Sequence, residues 1–287
     1  MNKHILILCL MSVKGIGNKR IYDICKKYNF SYEDIKLSLK EELNDKEKYW
    51  FKNNIETVEK QYIQNINHNI NVISILDDDF PKSLYKTKNP CILLYYVGNI
   101  SLLKTKCVSV IGTRKPTDAF IEKGKEAVKR LTEANYTIVS GLALGCDTIA
   151  HTECLENKGK TIAILPSSLD NIMPPSNKEL ANRIVENEGL LISEYPYNTP
   201  YNKYAYAVRD RLQAYLSDSI LVIESTDKGG TMIAVERALE EKKKVFSING
   251  NTLSLIKDYV DPLSHNFLDN FIISETKKEE PEQLSLF

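Results

Sequence analysis

No sign of charge prevails in this sequence. Lysine plus arginine total 38 and aspartate plus glutamate total 38, so the formal net charge is zero. Global attraction to nucleic acid or to an anionic surface is therefore excluded, and any hold on a polyanion must come from a local patch. No apolar stretch reaches the roughly 20 residues that a membrane helix needs. The opening run "MNKHILILCLMSV" imitates a secretory leader, but "KGIGNKR" follows it without a small-residue cleavage site. A cytoplasmic protein is expected. The six cysteines, at 9, 25, 91, 107, 146 and 154, form no C-x-x-C pair and no cluster with histidine, so they are read as reduced thiols rather than a zinc site. Two nucleotide fingerprints are also missing. The first strand is followed by "GTRKPT" rather than G-x-G-x-x-G, and G-x-x-x-x-G-K-[ST] is not found, which argues against an NAD enzyme or a P-loop ATPase.

What is present is order along the chain. Residues 1–70 read as a small helical domain, with "GIG" at 15–17 joining two segments. "NDKEKYWFKNNIETVEKQYIQNINHNI" places Trp50, Phe51, Ile55, Val58 and Tyr62 at the spacing of an amphipathic helix. Residues 71–105 hold short strand-like runs broken by Pro81 and Pro90 and read as a connector. From 106 the apolar runs become regular: 107–112, 137–141, 161–166, 190–195, 219–224 and 244–248, each separated by a helical segment. Continuous apolar strands alternating with helices indicate a sheet buried on both faces, hence an α/β, doubly wound, mostly parallel Rossmann-like core over 106–272. Residues 273–287 are too charged and too poor in apolar side chains to fold alone.

In an open α/β sheet, ligands bind beyond the carboxyl ends of the strands. Four loops lie at such positions: "IGTRKPTDAF", "SGLALGCD", "PSSLDNIMPPSNKE" and "ESTDKGGTMIAVE". Glycine lets backbone approach a ligand, and bare helix N–H groups attract anions. Gly112 and Thr113, Gly141 and Gly145, and Gly229, Gly230 and Thr231 are therefore candidate phosphate contacts. Arg114 projects from the first loop onto the same rim, where a planar guanidinium suits phosphate. Arg209 and Arg211 could face the same crevice, or be surface charges, or pair with an acid such as Glu224 or Asp210. Lys178, at the start of the helix after the third strand, is a further candidate. Asp147 and His151 lie four apart on one helix face. With no nucleophile or metal ligand beside them they are read as organising a loop, Asp147 by accepting backbone N–H bonds at the helix start and His151 by bonding Asp147 or packing quietly. No catalytic residue, metal or cofactor is assigned.

These segments together resemble the DNA-processing protein A (DprA/Smf) family. The residues that carry the resemblance are "GTR", "IVSGLALGCDTIAH", "TIAILPSSLDNIMPPSNKEL", "LLISEYP", "RDRLQAYLSDSILVIES" and "GGTMIAVERALEEKKKVFSI", in the family's order over roughly 106–250. "FPKSL" at 80–84 and "GIG" resemble the family's connector and helical domain. The resemblance implies a non-enzymatic, homodimeric protein that binds single-stranded DNA and helps load a RecA-type recombinase during uptake of transforming DNA. It implies that Arg114, Arg209 and Arg211 contact phosphate. Two departures stand out: "PSSLD" replaces the family's glycine-bearing G-x-G-L-D, and "RDR" replaces R-N-R, so Asp210 brings negative charge beside the expected phosphate contacts. "VKGIGNKRIYDICKKY" also resembles a helix–hairpin–helix, with Lys14, Lys19 and Arg20 around its glycine turn.

The final "QLSLF" is similar to the bacterial sliding-clamp-binding motif, which implies that Gln283, Leu284, Leu286 and Phe287 dock into a clamp pocket. Each apolar side chain buried there is worth roughly 1.5–3 kcal/mol. The competing function is a nucleotide sensor or hydrolase using the same rim.

Overall fold

Leu, Ile and Val runs too apolar to face water on either side set the centre of the molecule. In the computed structural model, residues 1–200, 202 and 204–271 are described. Four helices come first: α1 (Lys3–Ser12), α2 (Asn18–Lys27), α3 (Tyr32–Glu42) and α4 (Asp45–Asn67). Then follow β1 (Asn71–Ser74), the short α5 (Lys82–Tyr85) and β2 (Leu93–Gly98). The alternating region runs β3 (Cys107–Ile111), α6 (Asp118–Glu133), β4 (Thr137–Ser140), α7 (Cys146–Glu156), β5 (Thr161–Ile164), α8 (Lys178–Glu186), β6 (Leu190–Ser193), α9 (Ala205–Leu216), β7 (Ser219–Val222), α10 (Thr231–Glu240), β8 (Lys244–Ile248) and β9 (Asp258–Val260).

The strands form one sheet in the order β1-β2-β6-β5-β4-β3-β7-β8-β9. All pairings are parallel except β1 with β2 and β2 with β6. Every residue of β3 to β7 is buried, as two helix-covered faces require. The expected doubly wound, mostly parallel core is therefore present. The segment read as a connector does more than connect: its two strands extend the sheet at one edge, Tyr95 pairing with Ser193 in β6. At the other edge β9 pairs with β8 through Ser247 and Tyr259. Three residues carry too little periodicity for that strand to be seen in sequence.

The apparent leader sequence is a core helix. Ile5, Leu6, Ile7, Cys9 and Leu10 are all buried in α1, which packs on α4 and β1. Its apolar cluster continues through Val72 and Leu94 into the main sheet, so hydrophobic burial joins the amino-terminal helices to the strands. In α4, Phe51 and Val58 are buried while Trp50 is 45% exposed; the expected apolar face excludes Trp50. Among the described residues no helix is long and apolar enough to cross a membrane.

Chain direction places the site. From β3 the chain moves outward through β4, β5 and β6, then returns to lay β7 against the other side of β3. The β3–β7 boundary is thus a topological switch point, where loops leave in opposite directions and open a crevice at the strands' carboxyl ends.

Candidate functional site

A cavity of about 530 Å³ fills that crevice, within the range of small-ligand clefts. The turn after β3 (Gly112, Thr113, Arg114), the loop after β7 and one face of α9 enclose it. The β3 turn is fixed from both sides. Thr113 N–H donates to the Glu224 carbonyl at 2.7 Å, and the Thr113 carbonyl accepts from Cys146 N–H at 3.0 Å. This holds Arg114 at the cavity mouth, exposed and 5.0 Å from the Tyr206 ring centre. Among the described residues Arg114 forms no ion pair, unlike the two arginines beyond it. Gly229, Gly230 and Thr231 line the opposite wall. They lead into α10, where Met232 and Ile233 N–H already donate to the Gly229 and Gly230 carbonyls; among the described residues the Gly230 and Thr231 N–H groups have no acceptor and stand at the positive end of the helix dipole.

Arg209 forms the floor. Its side chain is 5% exposed and lies 3.7 Å from Asp147 and 3.3 Å from Asp210. Gly141 makes room for it: a Cβ there would fall 1.4 Å from an Arg209 guanidinium nitrogen. Asp147 accepts N–H bonds from Gly141 (3.1 Å) and Ala143 (3.3 Å). Burial nevertheless raises its pKa, opposed by Arg209 and these donors. Asp210 is pushed up to about 6, chiefly by burial, with Arg209 opposing and Asp147 adding to the rise. When all are ionised, two guanidiniums and two carboxylates border the cavity, and an incoming anion gains a net positive wall only once Asp210 is protonated or the anion stays at the Arg114 side.

The other expected residues are distributed differently. Arg211 does not line the cavity; it is locked to Glu194 by two bonds of 2.6 and 2.7 Å, with both side chains mostly buried. Lys178 is exposed at the start of α8 and lies outside the cavity lining. Gly145 shapes the site without lining it: its φ of +76° and a Cβ distance of 2.4 Å to the Thr113 carbonyl admit only glycine. His151 does not bond Asp147. Its Nδ1 is 2.7 Å from Thr161 Oγ1, and that hydroxyl donates to the Ile138 carbonyl, so it accepts the Nδ1–H. Burial and Arg209 push the His151 pKa down to about 3, leaving a neutral ring. Asp147 and His151 are both buried. At the amino end, Arg20 pairs with Glu47 and donates to the Glu42 carbonyl, and Lys19 pairs with Asp23, so much of the charge expected around the glycine turn is already matched. Residues 283–287 lie outside the described residues.

Tyr206 and Gln213 carry no signal in the sequence that marks them as site residues. With Arg209 and Asp210 they recur at positions i, i+3, i+4 and i+7 of α9, one helix face, and all four line the cavity. Among the described residues no group of three or more His, Cys, Asp or Glu is placed to hold a metal ion.

Comparison with known proteins gives the same frame. The family model for DNA recombination-mediator protein A matches residues 71–258, from the first residue of β1 to the first of β9. DNA processing protein DprA of Streptococcus pneumoniae is 39% identical over 188 residues, 64% of this chain and 65% of that protein. Protein Smf of Synechocystis is 38% identical over 176 residues, 60% of this chain and 44% of that protein. The chain thus spans between under half and about two thirds of these curated relatives. The solved structure of Streptococcus pneumoniae DprA superposes with a TM-score of 0.72 at 28% identity, covering 90% of each chain. A structure of DNA processing protein A from Helicobacter pylori, concerned with that protein's single-stranded DNA binding mode, superposes with a TM-score of 0.62 at 28% identity, covering 70% of this chain and 95% of that one.

Proposed function

The chain belongs to the DNA recombination-mediator protein A family, and from that premise we propose that it binds single-stranded DNA at the β3–β7 cavity and serves DNA processing and recombination by binding rather than by catalysis. The observation that carries this reading is Arg114. Its guanidinium stands at the mouth of a switch-point cavity without an ion-pair partner among the described residues, beside the uncapped start of α10. A phosphate can be taken there without first breaking a salt bridge, whereas Arg211 would have to release Glu194. The likeness to the Helicobacter pylori protein supports the choice of a single strand. Against catalysis stand the enclosed neutral His151 and the thiols of α7, which burial pushes up to about 12 at Cys146 and about 11 at Cys154.

Fluorescence anisotropy with labelled oligothymidylate tests the proposal. Arg114→Ala is expected to weaken binding about tenfold or more, the worth of one charge-assisted hydrogen bond. Absence of binding, or indifference to Arg114→Ala, overturns it. A melting-temperature rise with mononucleotide but none with oligonucleotide would favour the rival nucleotide sensor or hydrolase. We further propose, on the family's behaviour, a RecA-type recombinase and a second copy of the chain as partners, in the cytoplasm. "QLSLF" is proposed as a weak sliding-clamp tether. Removing residues 283–287 should abolish co-elution with a clamp and leave oligothymidylate binding intact; unchanged co-elution would refute the tether.

A further inference from the structure

The α9 face of the cavity is chemically unlike a phosphate site. A site for phosphate alone would present donors only, because every phosphate oxygen accepts. Here one helix face presents an aromatic ring (Tyr206), a buried guanidinium (Arg209), a carboxylate (Asp210) and a primary amide (Gln213), all lining the same cavity. The Asp210 side chain is 15% exposed; its one ion pair among the described residues is the 3.3 Å approach of Arg209, with the charges of Asp147 and Arg114 also acting on it. It makes no hydrogen bond among the described residues, so most of its acceptor capacity is unspent. Gln213 is 2% exposed, and its amide nitrogen has no hydrogen-bond partner among the described residues. The Arg209 Nε is likewise buried and unpartnered. Buried donors need acceptors, so a ligand that accepts from these two gains hydrogen bonds that the protein itself does not supply.

Building on the single-stranded DNA reading above, we propose that this face reads a nucleobase, and that Asp210 with Gln213 selects guanine. Guanine's pairing edge carries two adjacent N–H donors, N1–H and the N2 amine, followed by the O6 acceptor. Two carboxylate oxygens match the two donors, and an amide N–H one helical turn away on the same face matches O6. No other DNA base offers adjacent donors: thymine has one N–H between two carbonyls, and adenine and cytosine each have one amine beside a bare ring nitrogen. Tyr206, whose ring centre lies 5.0 Å from the Arg114 guanidinium and 5.9 Å from that of Arg209, borders the base, and Arg114 at the mouth meets the phosphate. The same carboxylate repels a bare phosphate, so the geometry favours base in and phosphate out.

The test uses the full chain and a short labelled oligothymidylate whose central base is varied among thymine, guanine, adenine, cytosine, hypoxanthine and an abasic site, at pH 7.5. Guanine is expected to bind at least about fivefold tighter than hypoxanthine, which lacks only the N2 amine, and than thymine. Asp210→Ala should reduce that preference to below about twofold while strengthening binding of plain oligothymidylate. Asp210→Asn, which keeps the shape but offers one acceptor oxygen, should fall between. Equal affinity of the native chain for every central base, the abasic site included, overturns the base-reading proposal and leaves DNA binding standing. A guanine preference that survives Asp210→Ala also overturns it, because the reader then lies elsewhere. Binding to none of the oligonucleotides instead defeats the single-stranded DNA reading on which it rests.

Discussion

Arg114, after a strand-end glycine, and Arg211, within the segment that forms α9, are both candidate phosphate contacts in the sequence, and their surroundings separate them. Arg211 is buried against Glu194 in a two-bond fork; burial alone would lower its pKa, but the hydrogen bonds and charge of Glu194 outweigh burial and leave it raised. Arg211→Ala leaves a buried carboxylate without its partner, so a loss of about 3–5 kcal/mol is expected in chemical denaturation, with oligothymidylate affinity per folded molecule retained. Asp210 gives the pH signature. Its pKa rises from 3.8 to about 6 on folding, so the folded state holds a proton that the unfolded chain has released between those values. Stability from this group is full below about 4 and is lost as pH rises through about 6. Oligothymidylate affinity follows the same sign, rising as pH falls through 6 because a negative charge leaves the cavity. In Asp210→Asn this pH step should vanish, and affinity at pH 7.5 should exceed that of the native chain; a persisting step would show that another group titrates. Asp210 was visible in sequence as a departure from R-N-R. Its shifted proton equilibrium was not, because that depends on burial and on Asp147, which is 63 positions away.

At the scale of elements, the sequence shows what repeats and hides what is short or conditional. Six apolar runs separated by helical segments announce a parallel core, since each strand is buried on both faces. The runs overestimate strand length: 190–195 yields β6 at Leu190–Ser193, and 219–224 yields β7 at Ser219–Val222. Past β7, Ile223 stays in the core, while Glu224 reaches the rim and accepts from Thr117 and Thr113. β1 and β2 are visible only as strand-like runs of a connector, because their place in the sheet comes from pairing with β6, and the three-residue edge strand β9 draws its register from β8. The α9 face escapes because Tyr206, Arg209, Asp210 and Gln213 are chemically unlike and carry no hydropathy signal. Gly145 ties elements to the site: it starts α7 and abuts the Thr113 carbonyl. Gly145→Ala forces a side chain into a conformation that costs about 1–3 kcal/mol and pushes on the Arg114 turn. Lower stability and weaker oligothymidylate binding are expected together; loss of stability alone would separate the turn from binding.

Over the whole molecule, a formal net charge of zero supplies no general attraction for DNA, so the proposed affinity must arise where topology concentrates guanidinium and backbone donors. The strand order supplies that place at the β3–β7 switch point, and one apolar cluster runs from α1 into the sheet that carries it. The family frame and the core were legible in sequence because both rest on ordered segments; the division of labour among the arginines was not, because it rests on which carboxylate folds back onto which guanidinium. The most direct test is the salt dependence of oligothymidylate affinity for the native chain and Arg114→Ala. The native chain should give a linear log–log fall with a slope of about −0.7 per phosphate contacted, and Arg114→Ala should lower its magnitude by about 0.7. Identical slopes for the two proteins would contradict the assignment of the switch-point cavity as the phosphate site.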